Sequence, residues 1–198
     1  MGKQGTRRMR WRHHEVSWRP CLAAVPSRPP TWVRELIGER GSLTERLERL
    51  GNVEVTLLRQ GMSRPSVGEA VALGMDPRQW AWLREVVLDC DAGLRVYARS
   101  VIPGRVTGPL AALPRLGTRP LGRLIFAAPD AQRGPVVVAQ LRGGEQLALR
   151  LYEYGERSIE NAWTRRSTLM VGHQRILVTE VFLTTSGREE AEGELASR

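Results

Sequence analysis

At 198 residues, with 41% hydrophobic and 6% aromatic residues, the chain is long enough for one domain with its own apolar core. No apolar run approaches the roughly 18–20 residues of a membrane helix, and no apolar segment follows the basic N-terminus, so we predict neither membrane insertion nor a secretory signal. The formal net charge of +9 would suit nucleic-acid binding, but every basic residue except Lys3 is an arginine and much of the excess lies in residues 1–30. We therefore predict no obligatory nucleic-acid partner.

Cysteine usage indicates a reducing compartment. Cys21 and Cys90 are the only cysteines, too few for a disulfide framework. The sequence therefore predicts a cytoplasmic protein. It leaves the oligomeric state open, and a monomer is the expectation.

The two ends differ in charge from the body of the chain. Residues 1–30 are basic and end in the helix-breaking sequence SRPP, so we predict a flexible arm there. Residues 185–198 are rich in glutamate and predict a frayed acidic C-terminus. Residues 31–184 form the predicted domain.

The first half of this domain alternates helices with a strand. An apolar helical pattern runs through residues 30–41, and the sequence SLTE then opens a short helix over residues 42–50 with a capping-box pattern. Residues 52–59 predict a strand. A second such box, SVGE, opens a helix over residues 66–74 that ends at a glycine.

The second half is dominated by strands. Residues 80–90 and 94–102 read as a hairpin around the turn DAG, and two helical pieces follow at residues 107–117 and 119–126. Further strands are predicted at residues 134–141, 145–154, 162–171 and 175–183. Short turns between neighbouring strands favour antiparallel pairing. The expected fold is a single α+β domain with a roughly six-stranded antiparallel sheet and short helices covering one face.

Familiar catalytic motifs are missing. The sequence has no Walker loop, no GxGxxG after a strand and no GxSxG elbow. Its histidines are His13, His14 and His173, and with Cys90 they form no set at metal-ligand spacing. Any catalysis would therefore rest on arginine and glutamate, without a metal or a nucleotide cofactor.

Two strands each carry a charged residue among apolar neighbours: Arg84 in WLREVVL and Glu180 in RILVTEVFL. A guanidinium in such a place is suited to hold a carboxylate by two hydrogen bonds. A structural alternative is a buried ion pair of Arg84 with Glu180 or with Glu85, since buried charges are usually paired. The residues alone leave both interpretations open.

Three further arginines, Arg99, Arg165 and Arg166, also lie on predicted strands. They could attract an anionic substrate, but a solvated position is the default expectation for strand arginines.

Six motifs in a fixed order carry a family resemblance: GSLTERL, WLREVVL, ARSVIP, LGTRPLGRLIF, WTRRSTL and ILVTEVFL. Each is weak alone, but together, at compatible spacings over residues 31–184, they resemble the chorismate lyase family. Members of that family split chorismate into 4-hydroxybenzoate and pyruvate at the start of ubiquinone biosynthesis. The segment 128–150 is longer than the family's usual link, and it aligns poorly.

The resemblance implies helical flaps that close over a buried site on the sheet. Arg84 corresponds to the arginine that holds the ring carboxylate, and Glu180 to the carboxylate that meets the 4-hydroxyl as hydrogen-bond acceptor or base. Leu43 and Leu121 fall at the two flap positions, where the backbone N–H is the expected donor. The implied activity needs no cofactor, and slow product release is a plausible consequence.

Two other classes of function remain as alternatives. A non-catalytic protein of the same fold could bind an aromatic acid; it would keep Arg84 but would not need Glu180, so the presence of both favours an enzyme. A basic RNA-binding protein should expose aromatic residues between basic ones on a sheet face. The only such hint is Tyr97, between Arg95 and Arg99.

Overall fold

One antiparallel sheet of six strands organises the chain, in the order β1-β2-β3-β6-β5-β4. This computed structural model describes residues 14–157 and 159–184. Neighbouring strands pair throughout in antiparallel register. The strands are β1 (Val53–Ser63), β2 (Ala81–Cys90), β3 (Leu94–Pro103), β4 (Gln132–Gln140), β5 (Trp163–Val171) and β6 (Gln174–Thr184).

Five short helices pack on this sheet, and the predicted α+β class is confirmed. The helices are α1 (Thr31–Gly38), α2 (Leu43–Glu48), α3 (Val67–Leu73), α4 (Leu121–Phe126) and α5 (Gln146–Glu153), and 3-10 turns lie at Leu22–Ala24, Gly108–Leu110 and Leu113–Arg115. No helix within the described ranges is long and apolar enough to cross a membrane.

Local sequence signals explain where α3 begins and ends. The Ser66 hydroxyl accepts from the Glu69 N–H at 3.2 Å, while the Glu69 carboxylate accepts from the Ser66 N–H at 2.8 Å. This is the reciprocal capping box that the sequence predicted. Gly74 ends the helix at φ 65°, a left-handed conformation that favours glycine.

The prediction of a strand at residues 145–154 is wrong, because this segment forms α5. Leu147, Leu149 and Leu151 alternate as strand residues do, yet the buried residues of the helix are Ala148 and Leu151, three positions apart. That spacing places both on one face of a helix, where they join an apolar cluster with Tyr97 of β3.

Helices cover both faces of the sheet rather than one. The front face carries Arg84, Ser100 and Glu180, and the back face carries Glu85 and Arg99. On the front face, apolar clusters join the sheet to α1 and α2 and, separately, to the 3-10 turns and α4. On the back face, α5 and α3 form the corresponding clusters.

The expectation that the strand arginines are solvated is wrong for Arg99 and Arg165, which are buried, whereas Arg166 is half-buried. Tyr97 is fully buried too, which removes the only hint of an RNA-binding sheet face. Burial of this kind needs charge compensation, because desolvated guanidinium groups without partners are costly.

On the back face, two carboxylates compensate the charge of Arg99. The Nε and Nη2 of Arg99 donate to Glu69 at 2.5 and 3.0 Å, and its Nη1 donates to Glu85. Glu85 also accepts from Arg150 at 2.9 Å and from the Tyr154 hydroxyl. Burial opposes ionisation of Glu85, but these partners, Arg99 foremost, outweigh it and hold the pKa of the carboxyl below its usual value.

Residues 14–30, part of the predicted arm, contact the sheet. Arg19 and Val138 exchange two backbone hydrogen bonds of 2.8 Å, and the Trp18 ring lies 4.3 Å from the Arg166 guanidinium carbon. Residues 1–13, with Trp11, and the acidic end at 185–198 lie outside the described residues. The division into arm, domain and frayed end stays a prediction.

Removing the Glu85 carboxylate should destabilise the fold strongly. We expect Glu85→Ala to lower the free energy of unfolding by about 3–5 kcal/mol in urea denaturation, because it leaves Arg99 and Arg150 underpaired. The stabilisation that the Glu85 carboxylate provides should be complete above its ordinary pKa of about 4.5. It should be lost as the pH falls through the lower pKa that Glu85 has in the folded protein.

The matched control is Glu35→Ala, which removes a surface ion pair with Arg46. The Glu35 side chain is 53% exposed, so this change should cost less than about 1 kcal/mol. Equal losses in the two variants would contradict a special role for the buried network.

Candidate active site

A cavity lies between the front face of the sheet and the starts of α2 and α4. The empty space between these walls, including the part that opens to solvent, is about 570 Å³. All four residues that the family resemblance selected line it. The wall consists of Leu43, Thr44, Val55, Arg84, Val86, Leu88, Ala98, Ser100, Pro120, Leu121, Gly122, Ile125, Phe126, Arg133, Leu169, Val178 and Glu180.

Arg84 enters this cavity from β2 and is 2% exposed. It donates from Nη1 to the Gln60 side-chain oxygen and from Nη2 to the Arg119 carbonyl, both at 3.2 Å. Its Nε is buried and has no hydrogen-bond partner among the described residues. Burial lowers the pKa of the guanidinium. The alternative of a salt bridge to Glu180 or Glu85 is wrong, because both carboxylates pair with other arginines.

Glu180 enters from β6, and its Oε2 accepts from Arg165 Nε on the neighbouring strand β5. Arg165 is fully buried and also donates from Nη1 to the carbonyls of Leu36, Ile37 and Glu39, at 2.6, 3.0 and 2.7 Å. These carbonyls end α1, where helices lack internal donors and favour a positive charge. Glu180 is therefore a paired carboxylate that also lines the cavity.

The strand register fixes the separation of the two charged groups. Arg84 is opposite Ser100 on β3, and Glu180 is opposite Ala98 on the same strand. Two strand intervals of about 4.8 Å and a two-residue offset of about 7 Å place the two Cα atoms roughly 12 Å apart. Both side chains line the same cavity, and this Cα separation is compatible with one six-membered ring held between them.

The two flap positions are the first residues of short helices. Leu43 begins α2 and Leu121 begins α4, so their N–H groups belong to the first turn, where no intrahelical acceptor exists. The two helix starts approach closely: a Cβ atom at Gly122 would lie 2.4 Å from the Ser42 hydroxyl oxygen. Glycine at position 122 therefore permits the start of α4 to lie against the N-cap residue of α2.

Arg133 of β4 is a wall residue that the sequence analysis missed. It donates from Nε to the Arg40 carbonyl at 3.0 Å, from Nη2 to the Gly41 carbonyl at 3.1 Å and from Nη1 to the Ser167 hydroxyl at 2.5 Å. Its guanidinium carbon lies 5.6 Å from the centre of the Phe126 ring. The cavity wall therefore holds two guanidinium groups and the Glu180 carboxylate, which pairs with Arg165 behind it.

Arg133, which the sequence analysis did not single out, and Arg165, which it expected to be solvated, differ in how their positions could have been predicted. Arg165 shares the period-two face of Trp163, Ser167 and Leu169, all of them buried, so alternation alone places it inside. Arg133 precedes Gly134 at an irregular point of the β4–β5 register. No regular alternation marked that position.

The charges of the wall favour an anionic ligand. Arg84 and Arg133 have no carboxylate within ion-pair distance in the part of the chain that the structure describes, whereas Glu180 is neutralised by Arg165. An excess of two positive charges in a mostly apolar cavity suits a carboxylate-bearing ring compound. No set of three or more His, Cys, Asp or Glu residues in residues 14–157 and 159–184 could hold a metal ion.

Comparisons with known proteins agree with the predicted family. The chorismate lyase family model matches residues 14–188. A probable chorismate pyruvate-lyase of Halorhodospira halophila is 54% identical over 184 residues, covering 93% of this chain and 96% of the relative. Another, from Chromohalobacter salexigens, is 39% identical over 177 residues and covers 87% and 89% of the two chains.

A third relative with that description, from Aromatoleum aromaticum, is 37% identical over 183 residues, covering 89% of this chain and 97% of the relative. The family match and the relatives extend over almost the whole sequence rather than over isolated motifs. They confirm the resemblance, and the chain belongs to the chorismate lyase family.

Proposed function

We propose that this protein is a chorismate pyruvate-lyase, which eliminates pyruvate from chorismate to give 4-hydroxybenzoate without a cofactor. The observation that carries the proposal is that Arg84 and Glu180, both buried, line one cavity. Family membership and the names of the relatives support the choice of substrate.

In the proposed complex, Arg84 binds the ring carboxylate. Its buried Nε has a free N–H directed to no protein acceptor in the described ranges, and a carboxylate would supply the missing acceptor. The N–H groups of Leu43 and Leu121, at the starts of the flap helices, add neutral donors. Together these groups fix one end of the ring.

Glu180 meets the other end, at the 4-hydroxyl. One of its oxygens is engaged by Arg165, which leaves the second oxygen to accept a hydrogen bond from the ligand. The ion pair also holds the carboxylate in place against the buried guanidinium. We assign Glu180 as hydrogen-bond acceptor and orienting group.

The chemistry then needs little beyond placement and exclusion of water. The C3–O bond breaks with its electron pair leaving on the enolpyruvyl oxygen, the C4 proton is lost, and a C3–C4 double bond completes the aromatic ring. The proton lost from C4 is balanced by the one that converts enolpyruvate to pyruvate. Because aromatisation drives the reaction, orientation in a closed apolar cavity supplies most of the catalysis.

The same cavity should retain the flat product. Most of its wall is apolar, and the anchors for the ring carboxylate and the hydroxyl remain after pyruvate has left. Product inhibition and slow release follow from this.

As expected from the sequence, we propose a cytoplasmic, monomeric enzyme that feeds ubiquinone biosynthesis.

A direct assay tests the proposed function. The purified full chain, incubated with chorismate in the presence of a metal chelator and without nucleotides, should release 4-hydroxybenzoate and pyruvate in equal amounts. Binding of 4-hydroxybenzoate without turnover would instead identify a non-catalytic aromatic-acid binder. A protein that neither binds nor converts these compounds would refute the proposal.

Loss of the Arg84 guanidinium should impair the reaction severely. Arg84→Ala is expected to cost about 2–4 kcal/mol in kcat/KM, because a desolvated charge-assisted clamp is lost. Affinity for 4-hydroxybenzoate should fall as well, since the product keeps the ring carboxylate. The control is Arg123→Ala, an exposed arginine of α4 that pairs with Glu48. Near-normal turnover in Arg84→Ala would remove this residue from the site.

Exchange of Glu180 for glutamine separates hydrogen bonding from proton transfer. An amide can still bond to the 4-hydroxyl but cannot take up a proton. We expect Glu180→Gln to fold, to bind 4-hydroxybenzoate and to retain turnover reduced about 10- to 100-fold. Abolished turnover with product binding intact would show that Glu180 is an essential base.

A further inference from the structure

The mechanism above leaves one charged group of the cavity wall unused. Arg133 stands on β4, across the sheet from Arg84 on β2, with β3, β6 and β5 between the two strands. Both guanidinium groups line the same cavity. Chorismate itself carries two carboxylates, one on the ring and one on the enolpyruvyl group, and only the first has been given a partner.

The hydrogen bonds of Arg133 leave it able to bind an anion. Three of its five N–H donors are used, by the carbonyls of Arg40 and Gly41 and by the Ser167 hydroxyl. One N–H remains on each terminal nitrogen. All three acceptors are uncharged, so the positive charge of this group is held in place but not neutralised by them.

Arg133 lies at the Glu180 end of the cavity. Ser167, which it contacts, is two residues from Arg165 on the same face of β5, and Arg165 is the ion-pair partner of Glu180. Burial lowers the pKa of Arg133, and the nearby charges of Glu180 and Arg165 raise and lower it respectively. The pKa of Arg84 is lowered by burial alone. The two cavity arginines therefore occupy different electrostatic surroundings.

The connectivity of chorismate matches this arrangement. Its enolpyruvyl group is attached to C3, next to C4, which bears the hydroxyl. With the ring carboxylate on Arg84 and the hydroxyl on Glu180, the substituent on C3 lies beside the Glu180 end. A side-chain carboxylate projecting from there needs a cation, and Arg133 is the wall residue that offers one.

We propose that Arg133 binds the carboxylate of the enolpyruvyl group, an inference that rests on the proposed lyase function. Among the described residues, neither guanidinium group has a carboxylate within ion-pair distance, and the two groups then match the two carboxylates of the substrate. As the C3–O bond breaks and its electron pair moves onto the departing enolpyruvyl oxygen, Arg133 stabilises the anion at that end. Protonation of this departing group balances the proton lost from C4.

This assignment makes Arg133 a residue that distinguishes substrate from product. Chorismate has two carboxylates, whereas 4-hydroxybenzoate retains only the one on the ring. Arg84 should therefore contribute to the binding of both compounds, but Arg133 should contribute to the substrate alone. A purely structural role predicts no such difference, which gives the proposal a specific readout.

A structural role is a real alternative, because Arg133 also holds the chain just ahead of α2. The carbonyls of Arg40 and Gly41 precede Ser42, the N-cap of that flap helix. Loss of these bonds would misplace the Leu43 N–H, which is a proposed contact of the ring carboxylate. In that case both ligands would bind more weakly by similar factors.

The test compares the two ligands in Arg133→Met, Arg84→Ala and the control Arg123→Met. We expect Arg133→Met to lower kcat/KM for chorismate at least about tenfold while the Kd of 4-hydroxybenzoate changes less than about threefold. Arg84→Ala should weaken both, and Arg123→Met neither. Arg133→Lys keeps the positive charge but not the paired N–H donors of the guanidinium, so it should recover part of the lost kcat/KM.

Two results would overturn the proposal. Parallel losses for chorismate and 4-hydroxybenzoate in Arg133→Met would make Arg133 a positioning residue for the flap, and unchanged values would remove it from the site. If Arg133→Met does not fold, the same comparison in Arg133→Lys decides. If the wild-type protein binds but does not convert chorismate, the lyase function fails, and the ratio of equilibrium affinities for the two ligands still tests Arg133.

Discussion

A buried carboxylate is stable only where its negative charge is compensated, and the ion pair of Glu180 with Arg165 provides this compensation. Arg165 lies on the neighbouring strand and donates to the Glu180 carboxylate. It also donates to the carbonyls at the end of α1. One buried guanidinium thereby joins the sheet, the first helix and the site. The position of Glu180 thus depends on how α1 ends as much as on its own strand.

The two faces of the sheet use arginine in opposite ways. On the back face, the guanidinium groups of Arg99 and Arg150 are balanced by the carboxylates of Glu69 and Glu85, so this network carries no net charge. On the front face, Arg84 and Arg133 contact only neutral oxygens of the described chain. Buried ion pairs of the first kind serve the fold, whereas the cations of the second kind, buried Arg84 and half-buried Arg133, are left with binding capacity for an anion.

Much of the fold followed from local patterns, and the exceptions have physical reasons. Capping signals and glycines located α3, and alternation located the paired strands. Alternation failed at α5, because Leu147, Leu149 and Leu151 alternate as strand residues do, whereas the face that packs on the sheet carries Ala148 and Leu151 at helical spacing. For the site, the sequence showed Arg84 and Glu180 as charged residues within apolar strands. Only the family resemblance predicted that they meet in one site, because strand order and register are set by long-range contacts. Arg133 and the true partner of Glu180 needed coordinates.

The hydrogen bonds of the two front-face arginines have a further consequence for access. Arg84 holds the carbonyl of Arg119, just ahead of α4, and Arg133 holds the carbonyls of Arg40 and Gly41, just ahead of α2. The segment ahead of each flap helix is therefore hydrogen-bonded to an arginine that also lines the cavity. Any displacement of a flap helix that opens the cavity would strain or break these hydrogen bonds, so the side chains that would hold the ligand also hold the segments that cover it.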